Sequence, residues 1–165
     1  MPASDSVMII GVGNPERGDD RAGREVARRL KLSRFAKAQV LETEGEATTL
    51  LALMEKSAVV FLIDACVSGA PPGTIRRVDL THSVLPEARY GVSSHGFGLA
   101  EAVSLASSLG TLPRRCVLYA IEGRNFDVGA PVSPTVSAAV DDVVSSLLEE
   151  LDAHDQNRHQ TCSSA

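Results

Sequence analysis

Residues 58–65 have the sequence AVVFLIDA, which is the most continuous apolar run in the chain. An uninterrupted run rich in Val, Ile, Leu and Phe predicts a β-strand that is buried on both faces, as in parallel sheets. Asp64 lies at the carboxyl end of this predicted strand. Because burying a carboxylate without a partner costs free energy, the sequence favours a functional role for Asp64 over a purely structural one.

Strands and helices alternate on both sides of this run. Two shorter apolar runs, residues 7–12 and 115–121, predict further buried strands, and residues 39–42 predict another short strand. Residues 74–80 alternate polar and apolar side chains, as an edge strand does. Four segments have apolar residues at helical spacing: residues 19–30, 47–56, 97–109 and 133–151. This order predicts an α/β fold, a three-layer sandwich with a mostly parallel, five-stranded sheet and helices on both faces.

The composition excludes several classes of protein. The chain has 165 residues, a formal net charge of −5, two Tyr, four Phe and no Trp. Nucleic-acid binders usually carry a basic face and aromatic rings that stack on bases, so no nucleic-acid partner is expected. The longest uncharged apolar run is far shorter than the roughly 20 residues of a membrane span, so no membrane insertion is expected. Three scattered cysteines predict free thiols and a cytoplasmic protein.

The length fits one domain with a single hydrophobic core. We assign residues 1–151 to that domain, because the apolar stripe of the last predicted helix ends at Leu151. Residues 152–165 are polar and predict a disordered C-terminal tail.

The strongest candidate site lies at the carboxyl ends of the predicted strands, where open α/β sheets bind their ligands. Asp19 and Asp20 follow the first strand, Asp64 ends the third, and His95 precedes the third helix. Two carboxylates and an imidazole can bind one divalent transition metal, or can act as a general base with its orienting partners. An acid in the first turn of a helix also interacts favourably with the helix dipole. Two adjacent acids do not both cap the helix, so capping explains only one of Asp19 and Asp20.

Four blocks of the sequence carry a family resemblance. They read IIGVGNPERGDDRAGREVARRL, FLIDACVSGAPPGTI, SSHGFGLAEAV and YAIEGRNFDVGAPVSPTVSAAV. Together, and in this order, they resemble the hydrogenase maturation proteases, the endopeptidases that process nickel-iron hydrogenase large subunits. The resemblance covers the chain from Val7 to about Leu151. It implies a three-layer, phosphorylase/hydrolase-like α/β fold with a twisted five-stranded sheet.

The resemblance also implies a set of site residues. The acid, Asp and His that contact the metal in this family fall by motif on Asp20, Asp64 and His95, which we predict as both metal ligands and catalytic residues. Four further residues are weaker predictions for contact with the substrate: Asn14, Asp19, Gly96 and Glu122.

The reaction implied by the resemblance is the maturation of a hydrogenase large subunit. The precursor carries nickel held by its own cysteines, and the protease recognises this nickel and removes a short C-terminal extension. Nickel is therefore expected to arrive with the substrate rather than to be permanently bound. Either the metal polarises the carbonyl or activates water, or a carboxylate acts as the base, so an aspartic-type or metal-dependent endopeptidase is expected.

Two alternatives come from other functional classes. A non-catalytic chaperone that senses nickel would bind the same precursor without cutting it. A peptidyl-tRNA hydrolase would share the Gly-x-Gly-Asn-Pro start found at residues 11–15. The chain lacks the downstream Tyr and the His-Asn pair of those enzymes, and its net charge is wrong for tRNA.

Overall fold

The computed structural model describes residues 3–33, 38–86, 88–90 and 98–162. The strands are β1 (Ala3–Val12), β2 (Gln39–Thr43), β3 (Ser57–Val67), β4 (Ile75–Asp79), β5 (Arg89–Tyr90) and β6 (Arg115–Glu122). The helices are α1 (Ala22–Leu32), α2 (Ala47–Met54), α3 (Leu99–Leu109) and α4 (Pro134–Cys162). A 3-10 turn, Gly18–Arg21, leads directly into α1.

One mixed sheet contains the six described strands. β2, β1, β3 and β6 lie side by side in that order and are parallel, and β4 pairs antiparallel with β6 at the edge. The predicted α/β fold and the half-exposed edge strand are therefore confirmed. β5 adds a sixth strand of only two residues, which pairs antiparallel with the carboxyl end of β3. A strand this short has no periodicity that a sequence could reveal.

β3 is buried on both faces because the sheet separates two hydrophobic layers. Val59, Phe61 and Ile63 pack into the layer beneath α1 and α4. Val60 and Leu62 pack into the layer beneath α2 and α3. Burial of each of these side chains contributes about 1.5 to 3 kcal/mol to the free energy of folding. The strand that carries Asp64 is consequently packed on both faces.

The last helix extends further than the sequence indicated. α4 continues through Cys162, whereas a disordered tail was predicted from Asp152 onward. Among the helix residues whose burial the structure describes, Leu151 is the last buried apolar one. No Gly or Pro follows Pro134 to end the helix, so it continues past the core as a polar extension. Neither α4 nor any other described helix has a stretch long and apolar enough to cross a membrane.

Candidate active site

The candidate site lies at a topological switch point of the sheet. β1 and β3 are neighbours, but the chain leaves β1 toward β2 on one side and returns to β3 on the other. In open α/β sheets the crevice outside the carboxyl ends of two such strands is the usual ligand site. A cleft is present at this position, and both Asp20 and Asp64 line it. The structure thus brings together two of the three residues predicted to be catalytic.

Two glycines place Asp20 against the ends of β1 and β3. A Cβ atom at Gly13, where φ is +147°, would lie 1.8 Å from the backbone oxygen of Asp20. A Cβ atom at Gly23 would lie 2.2 Å from the carbonyl oxygen of Ile63, the residue before Asp64. Such distances are far inside van der Waals contact, so a side chain at either position would push the turn away from the sheet.

Asn14 connects the loop after β1 to the carboxylate of Asp20. The backbone N–H of Asn14 donates to Asp20 Oδ2 at 3.2 Å, and its side-chain Oδ1 accepts from the backbone N–H of Glu16 at 2.8 Å. This side-chain-to-backbone bond stabilises the loop in the way typical of Asn in turns. Asn14 also lines the cleft, so it remains a candidate for contact with a substrate.

Asp64 is an almost fully buried carboxyl group. Its exposed fraction is 1%, and its Oδ1 atom has no hydrogen-bond partner among the described residues. Burial, and secondly the negative charge of Asp20, raise the pKa of Asp64 well above its ordinary value. A cation entering the cleft would offset both the desolvation of Asp64 and its repulsion by Asp20, whereas a neutral hydrogen-bond donor would offset the desolvation alone. The carboxylate oxygens of Asp20 and Asp64 are of a kind that can serve as ligands of a divalent metal ion.

The third predicted ligand lies outside the described part of the chain. His95 and Gly96 belong to residues 91–97, which the structure does not describe. Tyr90 and Gly98, the described residues on either side of this segment, both line the cleft. Within the described ranges, no group of three His, Cys, Asp or Glu side chains is placed to hold a metal ion.

Asp19 has a different role from its neighbour. Its Oδ2 accepts hydrogen bonds from the backbone N–H groups of Arg124 and Asn125, at 2.7 and 2.9 Å, and from the Ser133 hydroxyl at 2.8 Å. Its Oδ1 accepts from the Ser133 N–H at 2.6 Å. Burial alone would raise the pKa of Asp19, but these hydrogen bonds outweigh it and lower the pKa below its ordinary value. Asp19 therefore ties the 3-10 turn to the loop after β6 and is absent from the described cleft lining.

Glu122 is also held in a structural network. Its carboxylate accepts hydrogen bonds from the Ser68 N–H and hydroxyl, the Gly69 N–H and the Cys66 thiol. These bonds outweigh the effect of burial, so the pKa of Glu122 is lowered. The bonds fix the loop after β3, and Glu122 is not among the described residues that line the cleft.

Replacing Glu122 with Gln should therefore reduce stability and leave catalysis intact. The amide keeps one acceptor oxygen but sets its NH₂ group against backbone donors, which should cost about 2 kcal/mol. Thermal unfolding measures the loss, and Glu149→Gln on the exposed side of α4 is the matched control. A normal melting temperature combined with lost cleavage of a precursor would instead assign Glu122 to substrate binding.

Two described residues that line the cleft with polar side chains were not identified from the sequence. Glu44 follows the carboxyl end of β2 and is exposed where it lines the cleft, adding a third acidic side chain there. Its position two residues after the predicted strand 39–42 was a usable signal. Tyr90 reaches the cleft through β5, which no sequence pattern indicated.

Comparison with known proteins points to one family. The model of the hydrogenase maturation protease family matches residues 21–150. The chain is 25% identical over 156 residues to the hydrogenase expression/formation protein HupD of Thiocapsa roseopersicina, an alignment that covers 92% of this chain and 70% of HupD.

Solved structures show the same fold. The hydrogenase maturating endopeptidase HybD from Escherichia coli superposes with a TM-score of 0.72 at 22% identity, covering 90% of this chain and 93% of HybD. The [NiFe] hydrogenase maturation protease HybD from Thermococcus kodakarensis gives a TM-score of 0.67 at 22% identity, covering 88% and 98% of the two chains. The family match spans most of the chain and includes the whole of β3 with Asp64, and the chain therefore belongs to the hydrogenase maturation protease family.

Proposed function

We propose that this protein is an endopeptidase that removes the C-terminal extension of a nickel-loaded [NiFe] hydrogenase large-subunit precursor and so activates the hydrogenase. Family membership supports a peptidase that acts in hydrogenase maturation. One observation carries the proposal: Asp20 and Asp64 line one cleft, and the buried Oδ1 of Asp64 lacks a hydrogen-bond partner among the described residues. A carboxylate in this state is suited to a cation or a polar group that another molecule brings.

The nickel ion belongs to the substrate in this proposal. Asp20, Asp64 and His95 would contact the ion, and their small number leaves coordination positions for the cysteines of the precursor. A cation in the cleft offsets the repulsion between Asp20 and Asp64 that contributes to the raised pKa of Asp64. The inclusion of His95 is supported by the chain path, since Tyr90 and Gly98 on either side of its segment line the cleft.

Hydrolysis then follows an aspartic-type or a metal-assisted route. In the first, one carboxylate takes a proton from the water that attacks the carbonyl carbon. Burial raises the pKa of Asp64 above its ordinary value, which makes this carboxylate a stronger base than an exposed aspartate. In the second, the substrate's nickel polarises the carbonyl or activates the water, and the two carboxylates position the ion. Both routes require Asp64 in the cleft.

A processing assay tests the proposed function. The purified protein is incubated with nickel-loaded precursor and, in parallel, with metal-free precursor, and the products are separated on a denaturing gel. We expect a shortened large subunit only in the nickel-loaded sample, because the ion positions the scissile peptide. Cleavage of both samples at equal rates would contradict the role of nickel, and a stable complex without shortening would favour a non-catalytic chaperone.

The reaction is proposed to take place in the cytoplasm. Cys66 and Cys116 are free and buried in the structure. Burial raises the pKa of each thiol to about 12, so both stay protonated and unreactive. Free thiols of this kind fit a protein that works under reducing conditions.

A further inference from the structure

Tyr90 presents a buried polar atom that the fold itself does not use. Its hydroxyl is buried and has no hydrogen-bond partner among the described residues. The side chain lines the same cleft as Asp20 and Asp64. Native proteins rarely leave a buried hydroxyl unbonded, because the desolvation of that group is then uncompensated. A ligand that occupies the cleft is the natural partner for it.

The strand register places Tyr90 beside Asp64. β1 pairs with β3 as far as Ile63, and β5 then pairs with β3 at Cys66, opposite Tyr90. Residues opposite each other in an antiparallel pair share a face, and Asp64 shares the face of Cys66 because it lies two residues earlier. Tyr90 and Asp64 are thus diagonal neighbours, which typically lie about 7 to 8 Å apart and within reach of an aromatic side chain.

The two groups offer complementary chemistry to a ligand. Burial above all, and also the charge of Asp64, raise the pKa of Tyr90 to about 12, so the phenol remains a hydrogen-bond donor at neutral pH. Asp64 Oδ1 is a buried acceptor or cation ligand. A peptide carbonyl that enters between them presents an oxygen to the donor, while Asp64 faces the ion or the water that attacks the carbon.

We propose that Tyr90 is a catalytic residue whose hydroxyl donates a hydrogen bond to the carbonyl oxygen of the scissile peptide. This inference rests on the proposed function and adds the group that stabilises the developing oxyanion. In the hydrolysis, the water oxygen bonds to the carbonyl carbon and the carbon–nitrogen bond breaks. The hydroxyl of the water ends on the new carboxyl group and its remaining proton on the amine. Tyr90 keeps its own proton throughout.

The test compares the two tyrosines of the chain as Phe variants. Tyr119 donates to Glu150 of α4, so Tyr119→Phe should lower the melting temperature and leave cleavage unchanged. Tyr90→Phe removes a hydroxyl without a described partner, so its melting temperature should equal or exceed that of the wild type. Its kcat on nickel-loaded precursor should fall about 100-fold with KM nearly constant, as on removal of an oxyanion donor.

Each remaining outcome has a defined meaning. A Tyr90→Phe variant that cleaves within about twofold of the wild-type kcat, or that changes only KM, overturns the inference. A Tyr90→Phe melting temperature as low as that of Tyr119→Phe also overturns it, because the hydroxyl would then have a structural partner. If the wild-type protein itself fails to shorten the nickel-loaded precursor, the proposed function is contradicted. The wild-type reaction therefore distinguishes failure of the proposed function from failure of the inference about Tyr90.

Discussion

Replacing Asp64 with Asn should reduce processing of the nickel-loaded precursor by about 1,000-fold, in the range of lost acid–base catalysis. The amide has nearly the same shape, but it can neither accept a proton from water nor neutralise a cation. Because the amide is neutral, the substitution also removes the repulsion between Asp20 and the buried carboxylate of Asp64. The folded protein should therefore remain intact, with a melting temperature at pH 7 equal to or above that of the wild type.

The pH dependence of stability checks the physical state of Asp64. Because the folded-state pKa of this group is raised, its ionisation opposes folding, and the wild type should gain stability relative to Asp64→Asn as the pH falls. Circular dichroism melts from pH 8 down to the unfolded-state pKa of about 3.9 measure the difference, with exposed Asp142→Asn on α4 as control. Retained cleavage by a well-folded Asp64→Asn variant would remove Asp64 from the mechanism.

Replacing Asp19 with Asn should cause the largest loss of stability among these variants. Four hydrogen bonds from the loop after β6 and the start of α4 converge on this fully buried carboxylate. The amide sets its NH₂ group against these donors, which should cost about 3 kcal/mol or more. For a chain of this length, the melting temperature should fall by about 6 to 12 °C.

The same carboxylate predicts an acid-sensitive contribution to stability. The folded-state pKa of Asp19 is lowered, so its stabilisation is complete above the unfolded-state pKa of about 3.9 and is lost as the pH falls through the folded value. The stability gap between the wild type and Asp19→Asn should therefore narrow below about pH 4. The exposed Asp127→Asn in the same loop is the control. A gap that stays constant down to pH 2 would contradict the assignment.

The buried part of the fold was accessible from the sequence because hydrophobic patterning specifies it. The apolar run that contains Asp64 correctly predicted a buried strand, and the polar alternation of residues 74–80 correctly predicted an edge strand. The carboxyl ends of parallel strands share one edge, which also predicted that Asp20 and Asp64 would meet.

Other features depend on tertiary contacts that no local pattern encodes. Asp19 and Asp20 are adjacent residues of the same type, so the sequence does not distinguish their roles. In the 3-10 turn, the Asp19 side chain contacts the loop after β6, whereas Asp20 lines the cleft. Glu122 was expected at the crevice rim, but its carboxylate accepts hydrogen bonds from the backbone N–H groups of Ser68 and Gly69 after β3. Tyr90 is positioned by a two-residue strand that exists only through its pairing with β3.

Intact-mass spectrometry of the nickel-loaded precursor, after incubation with wild-type protein and with Asp64→Asn, tests the central claim most directly. We predict that the wild type converts the precursor into two fragments whose masses add up to that of the precursor plus one water. The Asp64→Asn sample should retain the precursor mass over the same period. An unchanged precursor mass with the wild type, or equal conversion by both proteins, would contradict the claim that this cleft hydrolyses the precursor through Asp64.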